Sequence, residues 1–151
     1  MGRLIVTFLF ILIPFTQKCR GIDTILYRVA DKILYMGRSQ LDWISAVDEC
    51  QRLNMVLASA TSVEDNNALT QFLRPRALMA WIGGYNYQED GQWRWIEDGQ
   101  LFNYTNWSPG QPTTNNSTKN CLQLLRVSSG KWSVDSCVSK KKFVCELVKK
   151  E

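Results

Sequence analysis

Cysteine is the residue type whose number and spacing most directly suggest chemistry in this chain. The 151 residues include five cysteines, at positions 19, 50, 121, 137 and 145, and no histidine. No pair has the Cys-x-x-Cys spacing of a zinc site, so metal binding by cysteine is not indicated. If Cys19 is removed with a leader, an even number of cysteines remains for disulfides. Four cysteines allow three pairings, and their spacing alone does not decide among them.

The sequence carries no recognisable catalytic apparatus. Without histidine it lacks the commonest general base, and it contains neither a Gly-x-Ser-x-Gly turn nor a phosphate-binding glycine loop. Glu97 and Asp98 fall in a predicted turn and need no catalytic explanation. We therefore predict that the protein is not an enzyme.

The first residues have the pattern of a secretory signal. An apolar run of 12 residues (4–15) follows Arg3 and is too short to cross a bilayer as a helix. We predict a signal peptide at residues 1–21, a single domain at residues 22–151 and a secreted, extracellular protein. A retained membrane anchor is the alternative. No other apolar segment approaches the roughly 18 residues of a membrane-spanning helix, so no membrane association of the mature chain is expected.

The net charge does not point to a nucleic-acid partner. The chain has 18 Lys and Arg against 14 Asp and Glu, but Arg3, Lys18 and Arg20 lie in the predicted signal, which leaves 15 against 14. Lysines cluster locally at residues 140–142 and 149–150. Nucleic-acid binding usually needs a broader basic face, so we interpret these clusters as solvated surface.

Apolar periodicity predicts two helices near the start of the domain. One spans about residues 43–53 and carries Cys50 on its apolar face. The other begins near Ser62, with Asp65 three residues later as in a capping box, and ends before Pro75. Short strand candidates precede, separate and follow the helices, including residues 102–104. This order predicts an α+β fold with antiparallel sheets.

A long irregular loop is predicted at residues 108–120, where proline, glycine, threonine and asparagine are concentrated. A loop of that length in a compact domain usually carries function. The six tryptophans are interpreted as core residues, with at most one facing this loop. Four N-glycosylation sequons lie in or near the loop, at Asn103, Asn106, Asn115 and Asn116; chance occurrence in Asn- and Thr-rich loops is the alternative.

Taken in order, these features resemble C-type lectin-like domains over essentially the whole mature chain, most closely small secreted lectins of fish and then of insects. The matching segments are the helix with Trp43 and Cys50, residues 57–59, residues 64–66, residues 81–84, Asn106-Trp107, residues 110–112, Cys121, Trp132 to Cys137 and residues 143–146. The resemblance implies two helices flanking antiparallel sheets with a long loop. It also implies the disulfides Cys50–Cys145 and Cys121–Cys137.

In sugar-binding members of that family, a calcium ion in the long loop coordinates the sugar. The corresponding triplet here is Gln111-Pro112-Thr113, in which Thr113 replaces an asparagine or aspartate, and Pro112 matches a proline that is cis in the family. The acidic position before Cys121 is occupied by Lys119. An ammonium group at a calcium site repels the ion.

The remaining ligand positions also depart from the family pattern. The Asn-Asp pair that follows the family's tryptophan is Ser133-Val134, and Asp135 lies one position too late. We therefore predict no cofactor and no calcium at the primary site. A weak ion held by Gln111, Asn120 and Asp135 is the alternative.

The resemblance predicts a recognition protein, a monomer or non-covalent dimer that binds an extracellular protein or glycan without calcium. The candidate contact residues all lie in the long loop: Gln111, Thr113, Thr114, Asn115, Lys119 and Asn120. One alternative is a calcium-dependent carbohydrate-binding lectin with atypical ligands. Another is an ice-binding protein of the same fold, suggested by the threonines at positions 105, 113, 114 and 118.

Overall fold

The computed structural model describes residues 25–86, 91–113 and 121–148. The two helices are α1 (Trp43–Arg52) and α2 (Val63–Leu73). The strands are β1 (Tyr27–Val29), β2 (Lys32–Met36), β3 (Val56–Leu57), β4 (Met79–Tyr85), β5 (Arg94–Trp95), β6 (Cys121–Leu125), β7 (Lys131–Asp135) and β8 (Val144–Glu146). A 3-10 turn at Arg126–Ser128 joins β6 to β7. Within these ranges no helix has the length and apolar character needed to span a membrane.

The strands form two antiparallel sheets. The first has the order β1-β2-β8-β3, so the last strand lies between strands from the start of the domain. Cys145 of β8 is opposite Tyr35 on one side and Leu57 on the other. The second sheet has the order β5-β4-β6-β7, and a parallel bridge between Trp81 and Phe143 connects it to the segment that enters β8. The predicted α+β class is confirmed.

Both helices begin at side-chain caps. The Asp42 carboxylate accepts hydrogen bonds from the backbone N–H and the hydroxyl of Ser45, each at 2.9 Å. Ser62 Oγ accepts from the N–H of Asp65 at 3.1 Å, as the sequence predicts. The Asp65 carboxylate in turn accepts from the N–H of Thr61, whereas in a usual capping box it would accept from the N–H of the N-cap residue, Ser62. These caps supply partners for N–H groups that a helix end leaves unpaired.

The two disulfides have the pairing that the resemblance implies. Cys50–Cys145 joins α1 to β8 across 95 positions, and Cys121–Cys137 closes a 16-residue segment from the start of β6 to just beyond β7. The first bond fixes α1 to β8, an inner strand of the first sheet. The second ties the start of β6, which follows the long loop, to the segment just after β7.

The core is aromatic. Trp43, Trp81, Trp93, Trp95 and Trp132 are buried, while Trp107 is half-buried. This confirms the interpretation of the tryptophans. Two of the indole N–H groups are hydrogen-bonded inside the core: Trp132 Nε1 donates to Asn66 Oδ1 at 2.7 Å and Trp43 Nε1 to the Ile82 carbonyl at 2.9 Å.

The strand predicted at residues 102–104 is wrong. This segment follows an irregular path, fixed by a hydrogen bond from the N–H of Phe102 to the Trp93 carbonyl at 2.9 Å. The Phe102 ring stacks on Trp95 with centroids 4.2 Å apart and meets Trp132 edge-on at 5.5 Å. Aromatic packing, which local strand propensity does not register, decides the backbone path here.

Candidate functional site

The described start of the long loop lies along β7. The N–H of Trp132 donates to the Asn106 carbonyl at 2.9 Å, and the N–H of Ser108 donates to the Trp132 carbonyl at 2.8 Å. Trp107 and Trp132 form a parallel bridge and their rings meet edge-on at 5.5 Å. The segment that precedes the predicted ligand-binding loop is therefore attached to the second sheet before the loop begins.

Gln111 extends this attachment through its side chain. Its Oε1 accepts a hydrogen bond from the backbone N–H of Val134 at 3.1 Å, and its own N–H donates to the Ser108 carbonyl at 3.0 Å. The Gln111–Pro112 peptide bond is cis, as the resemblance implies. Gln111 thus holds the loop against β7, a role that the sequence analysis did not assign to it.

The next residues of β7 offer little to a metal ion. Ser133 is buried and its Oγ is hydrogen-bonded to Gln123 Nε2 at 2.9 Å. Val134, at the position of a family carboxylate, is an apolar side chain with 6% of its surface exposed. Neither residue supplies the charged oxygen that calcium prefers.

Asp135 is paired with a cation. One carboxylate oxygen lies 2.6 Å from Lys141 Nζ, and the other accepts from the N–H of Ser136 at 2.7 Å. The Lys141 ammonium also lies 5.0 Å from the centroid of the Trp81 ring. The carboxylate nearest to the family's ligand position is therefore used inside the fold, with an opposite charge already beside it.

The described residues do not fit the calcium ion that sugar-binding members of the family hold at this site. One oxygen of Gln111 holds Val134, Ser133 bonds Gln123, and the Asp135 carboxylate is neutralised by Lys141. The described ranges contain no group of three or more His, Cys, Asp or Glu arranged to hold a metal ion. Calcium needs about six to eight oxygen ligands, several of them charged, and this donor set does not provide them.

Only part of the predicted contact set can be placed. Gln111 is half-buried against β7, whereas Thr113 is exposed. Thr105, one of the threonines that suggested an ice-binding surface, is also exposed. The predicted contacts Thr114, Asn115, Lys119 and Asn120, the sequon residue Asn116 and the threonine at position 118 lie outside the described residues.

A pocket of about 420 Å³ opens beside the described part of the loop. Its walls are mainly aromatic or apolar, with two polar side chains: Gly91, Gln92, Trp93, Leu101, Phe102, Thr105, Trp107 and Pro112. Trp93 and Trp107 meet edge-on with centroids 5.1 Å apart. Pro112 belongs to both the pocket and the predicted binding loop, so a ligand at the loop is within reach of these rings.

This aromatic pocket can bind the apolar face of a sugar ring or an apolar side chain without a metal. Trp and Phe rings provide large, rigid contact surfaces, and Gln92 and Thr105 offer hydrogen-bonding groups. The pocket was not predicted from the sequence, because the aromatic residues that line it were assigned to the core. Their density between residues 93 and 107 was the available signal.

Two of the predicted glycosylation sites have different surroundings. Asn103 is exposed. Asn106 is half-buried, and its Nδ2, the atom to which a glycan would be attached, donates to the Gly130 carbonyl at 2.9 Å. Asn106 Oδ1 also accepts from Lys131 Nζ at 2.7 Å. A glycan at Asn106 would take one of the two Nδ2 hydrogens and would have to fit beside the Gly130 carbonyl and Lys131.

A second polar cluster lies on the first sheet, away from the loop. Glu146 of β8 is 6% exposed; it accepts from Lys32 Nζ at 2.6 Å and from Ser59 Oγ at 3.0 Å. Asp65 lies 3.5 Å from Lys32 Nζ, and Glu97 is 3.3 Å from Ser59 Oγ. Burial raises the pKa of Glu146 above its ordinary value of 4.5, while the charge of Lys32 and hydrogen bonds from Lys32 and Ser59 oppose that rise.

Comparison with known proteins matches this architecture to one family. The model of the lectin C-type domain matches residues 39–147. Galactose-specific lectin nattectin of Thalassophryne nattereri is 31% identical over 111 residues, which cover 72% of this chain and 69% of that protein. Salivary C-type lectin 2 of Aedes albopictus is 30% identical over 119 residues, covering 72% and 78%.

A solved structure supports the same assignment. The cow C-type carbohydrate-recognition domain of CD23, crystallised in the presence of a GlcNAc2Man3 oligosaccharide, superposes with a TM-score of 0.72 at 30% identity, covering 87% of this chain and 99% of that one. Together with the paired disulfides, the two helices and the two antiparallel sheets, these matches show that the chain belongs to the C-type lectin domain family.

Proposed function

We propose that this chain is a secreted recognition protein that binds an extracellular protein or glycan through its long loop without calcium. The observation that carries the proposal is the Asp135–Lys141 ion pair at 2.6 Å. In this pair a lysine ammonium is bound to the carboxylate that lies nearest to the position of the family's calcium ligands. A divalent ion there would have to displace that cation and would find Val134, not a second carboxylate, beside it.

Recognition without the metal needs other contacts, and the aromatic pocket supplies them. Trp107 and Phe102 offer stacking surfaces, and Pro112 connects them to the loop. Gln111 and Thr113, with the predicted contacts Thr114, Asn115, Lys119 and Asn120, provide hydrogen-bonding groups along the same loop. Secretion is supported by the predicted signal peptide and by two disulfides, which persist in oxidising compartments.

The proposal is tested by calcium titration of protein made in a secretory host, with calorimetry and thermal unfolding as readouts. A ligand that binds the folded state raises Tm, and a concentration of about 100 Kd adds roughly 2.7 kcal/mol to the free energy of unfolding. We expect no binding heat and no change in Tm between EDTA and millimolar calcium. A calcium-binding member of the family, run in parallel, establishes that the assay detects the ion.

The principal alternative is a calcium-dependent sugar lectin. The similarity to nattectin, which is named as galactose-specific, makes galactose the sugar to test first. Retention on immobilised galactose that requires calcium and is released by EDTA, or a rise in Tm with calcium, contradicts our proposal. Binding to a glycan array or to an extracellular protein that is unchanged by EDTA supports it.

A further inference from the structure

A second groove lies where β4 begins, at residues distinct from those of the aromatic pocket. Its volume is about 450 Å³. One wall is apolar and consists of Ala77, Leu78 and Met79, and the other is the lysine run Lys140, Lys141 and Lys142, with Arg76 and Gln40 completing the lining. We call this feature the basic groove. It shares no lining residue with the aromatic pocket.

The charge of the basic groove is predominantly positive. Four of its lining residues are cationic and none carries a carboxylate. Lys142 Nζ donates to the backbone carbonyls of Gly37 and Arg38, which orient the ammonium without neutralising it. Arg76 is held in the same way, by the Phe72 carbonyl at 2.7 Å.

Two acidic residues lie near the groove without lining it. Asp135 neutralises Lys141. Asp42 caps α1, and its pKa is lowered mainly by the hydrogen bond from the backbone N–H of Ser45, with a smaller contribution from the charge of Lys140. Lys140 itself is exposed. Arg76, Lys140 and Lys142 therefore leave a positive potential that an anionic partner would neutralise.

Large apolar side chains are exposed beside these cations. Leu78 is 55% exposed and Met79 is 38% exposed. Single exposed apolar residues are common, but two consecutive ones in a concave, cation-lined surface form a combined apolar and electrostatic contact. A partner that buries them must bring apolar groups as well as negative charge.

The backbone at this point is hydrogen-bonded on both sides of β4. The Leu78 carbonyl accepts from the N–H of Arg126, so the peptide groups of Leu78 are directed toward β6. The N–H of Trp81 donates in the opposite direction, to the Lys142 carbonyl. Because alternate residues of a strand direct their peptide groups to opposite sides, those of Met79 are directed away from β6, to the side of β4 on which residues 142 and 143 lie.

We propose that the basic groove binds an extended acidic segment of a partner protein, with carboxylates at Lys140 and Lys142 and an apolar side chain over Leu78 and Met79. A peptide matches both features of the groove, its positive charge and its apolar surface. A sulfated glycan matches the charge alone. The proposal does not depend on what the long loop binds.

The test measures binding of a fluorescently labelled peptide that alternates glutamate and leucine, by anisotropy with the full mature protein. Lys140→Glu and Leu78→Ser change exposed side chains, and each is expected to weaken binding about tenfold while the protein remains folded, which cooperative thermal unfolding checks. Arg94→Glu makes the same charge reversal at the opposite end of β4 and is expected to change affinity less than about twofold. The same peptide with glutamine in place of glutamate should not bind.

Three results would overturn the proposal. The first is failure of the alternating peptide to bind the wild-type protein. The second is an equal loss of affinity in Lys140→Glu and Arg94→Glu, which would mean that overall charge controls binding. The third is a heparin oligosaccharide that binds more tightly than the peptide and is insensitive to Leu78→Ser, which would assign the groove to a sulfated glycan.

Discussion

The side-chain carbonyl of Gln111 accepts the backbone N–H of Val134 at 3.1 Å, and this hydrogen bond attaches the start of the long loop to β7. In Gln111→Ala the N–H of Val134 loses its partner. A partly buried donor left unpaired costs about 1–3 kcal/mol, so the free energy of unfolding in urea should fall by that amount. Amide hydrogen exchange at Val134 should accelerate as well.

Gln51→Ala is the matched control, since Gln51 is an exposed residue of α1. It should change the free energy of unfolding by less than about 0.5 kcal/mol. Equal stability of the two variants, with slow exchange retained at Val134, would show that Gln111 does not hold the loop.

The two disulfides should differ in their contribution to stability. Each disulfide lowers the conformational entropy of the unfolded chain, by an amount that grows with the logarithm of the number of residues in the segment that it closes. Replacing Cys50 and Cys145 by alanine should lower the free energy of unfolding by about 4–5 kcal/mol, and replacing Cys121 and Cys137 by about 3 kcal/mol. Urea titrations of the two double variants measure the difference. The reverse order would rule out chain entropy as the main origin.

The raised pKa of Glu146 predicts a pH dependence of stability. Since the folded state holds this proton more tightly than the unfolded state, the resulting stability is fully present below pH 4.5 and is lost as the pH rises through the folded pKa. The free energy of unfolding of wild type minus that of Glu146→Gln should therefore fall with rising pH, by at most about 1.4 kcal/mol per pH unit.

Glu49→Gln provides a control of opposite sign. The hydrogen bond from Arg52, followed by the charge of Arg52, lowers the pKa of Glu49. The stability that Glu49 contributes is present above its ordinary pKa and is lost as the pH falls. Urea unfolding of the three proteins between roughly pH 3 and 7 makes the comparison. Parallel trends in the two variants would refute the assignment of burial as the cause at Glu146.

Of the two sequons that precede the long loop, Asn103 is expected to carry the glycan. Protein secreted from a eukaryotic host, with Asn115 and Asn116 replaced by glutamine, should lose one glycan mass on Asn103→Gln and none on Asn106→Gln. Asn106→Gln should instead lower Tm, because it disturbs the hydrogen bonds with Gly130 and Lys131. Mass spectrometry before and after glycosidase treatment gives the result. A glycan on Asn106 would contradict the prediction.

The helices were predictable because their signals are local. Ser62 and Asp65 are three positions apart, and the apolar periodicity around Cys50 spans one short segment. The disulfide pairing followed from the family resemblance, not from the cysteine spacing. The structure confirms this pairing, which is one of the three that four cysteines allow.

The contacts that shape the site were not predictable, because they join residues that only the folded chain brings together. Lys32 and Glu146 are 114 positions apart, and no local pattern relates them. Lys141 is close to Asp135 in sequence, but their ion pair depends on the turn after β7 and on the Trp81 ring below the lysine. The lysine run of residues 140–142, interpreted as solvated surface, lines the basic groove because β4 passes beside it.

The position of β8 between β2 and β3 has a consequence for how the chain is made. Strands β2 and β3, which lie on either side of β8, are synthesised more than eighty residues before it. Until residues 144–146 have been synthesised, Tyr35 and Leu57 have no central strand to pair with, and Cys50 has no thiol at position 145. The native first sheet and the Cys50–Cys145 disulfide can therefore form only after residue 146 has been added, so until then β2 and β3 lack the strand that joins them and the Cys50 thiol lacks its native partner.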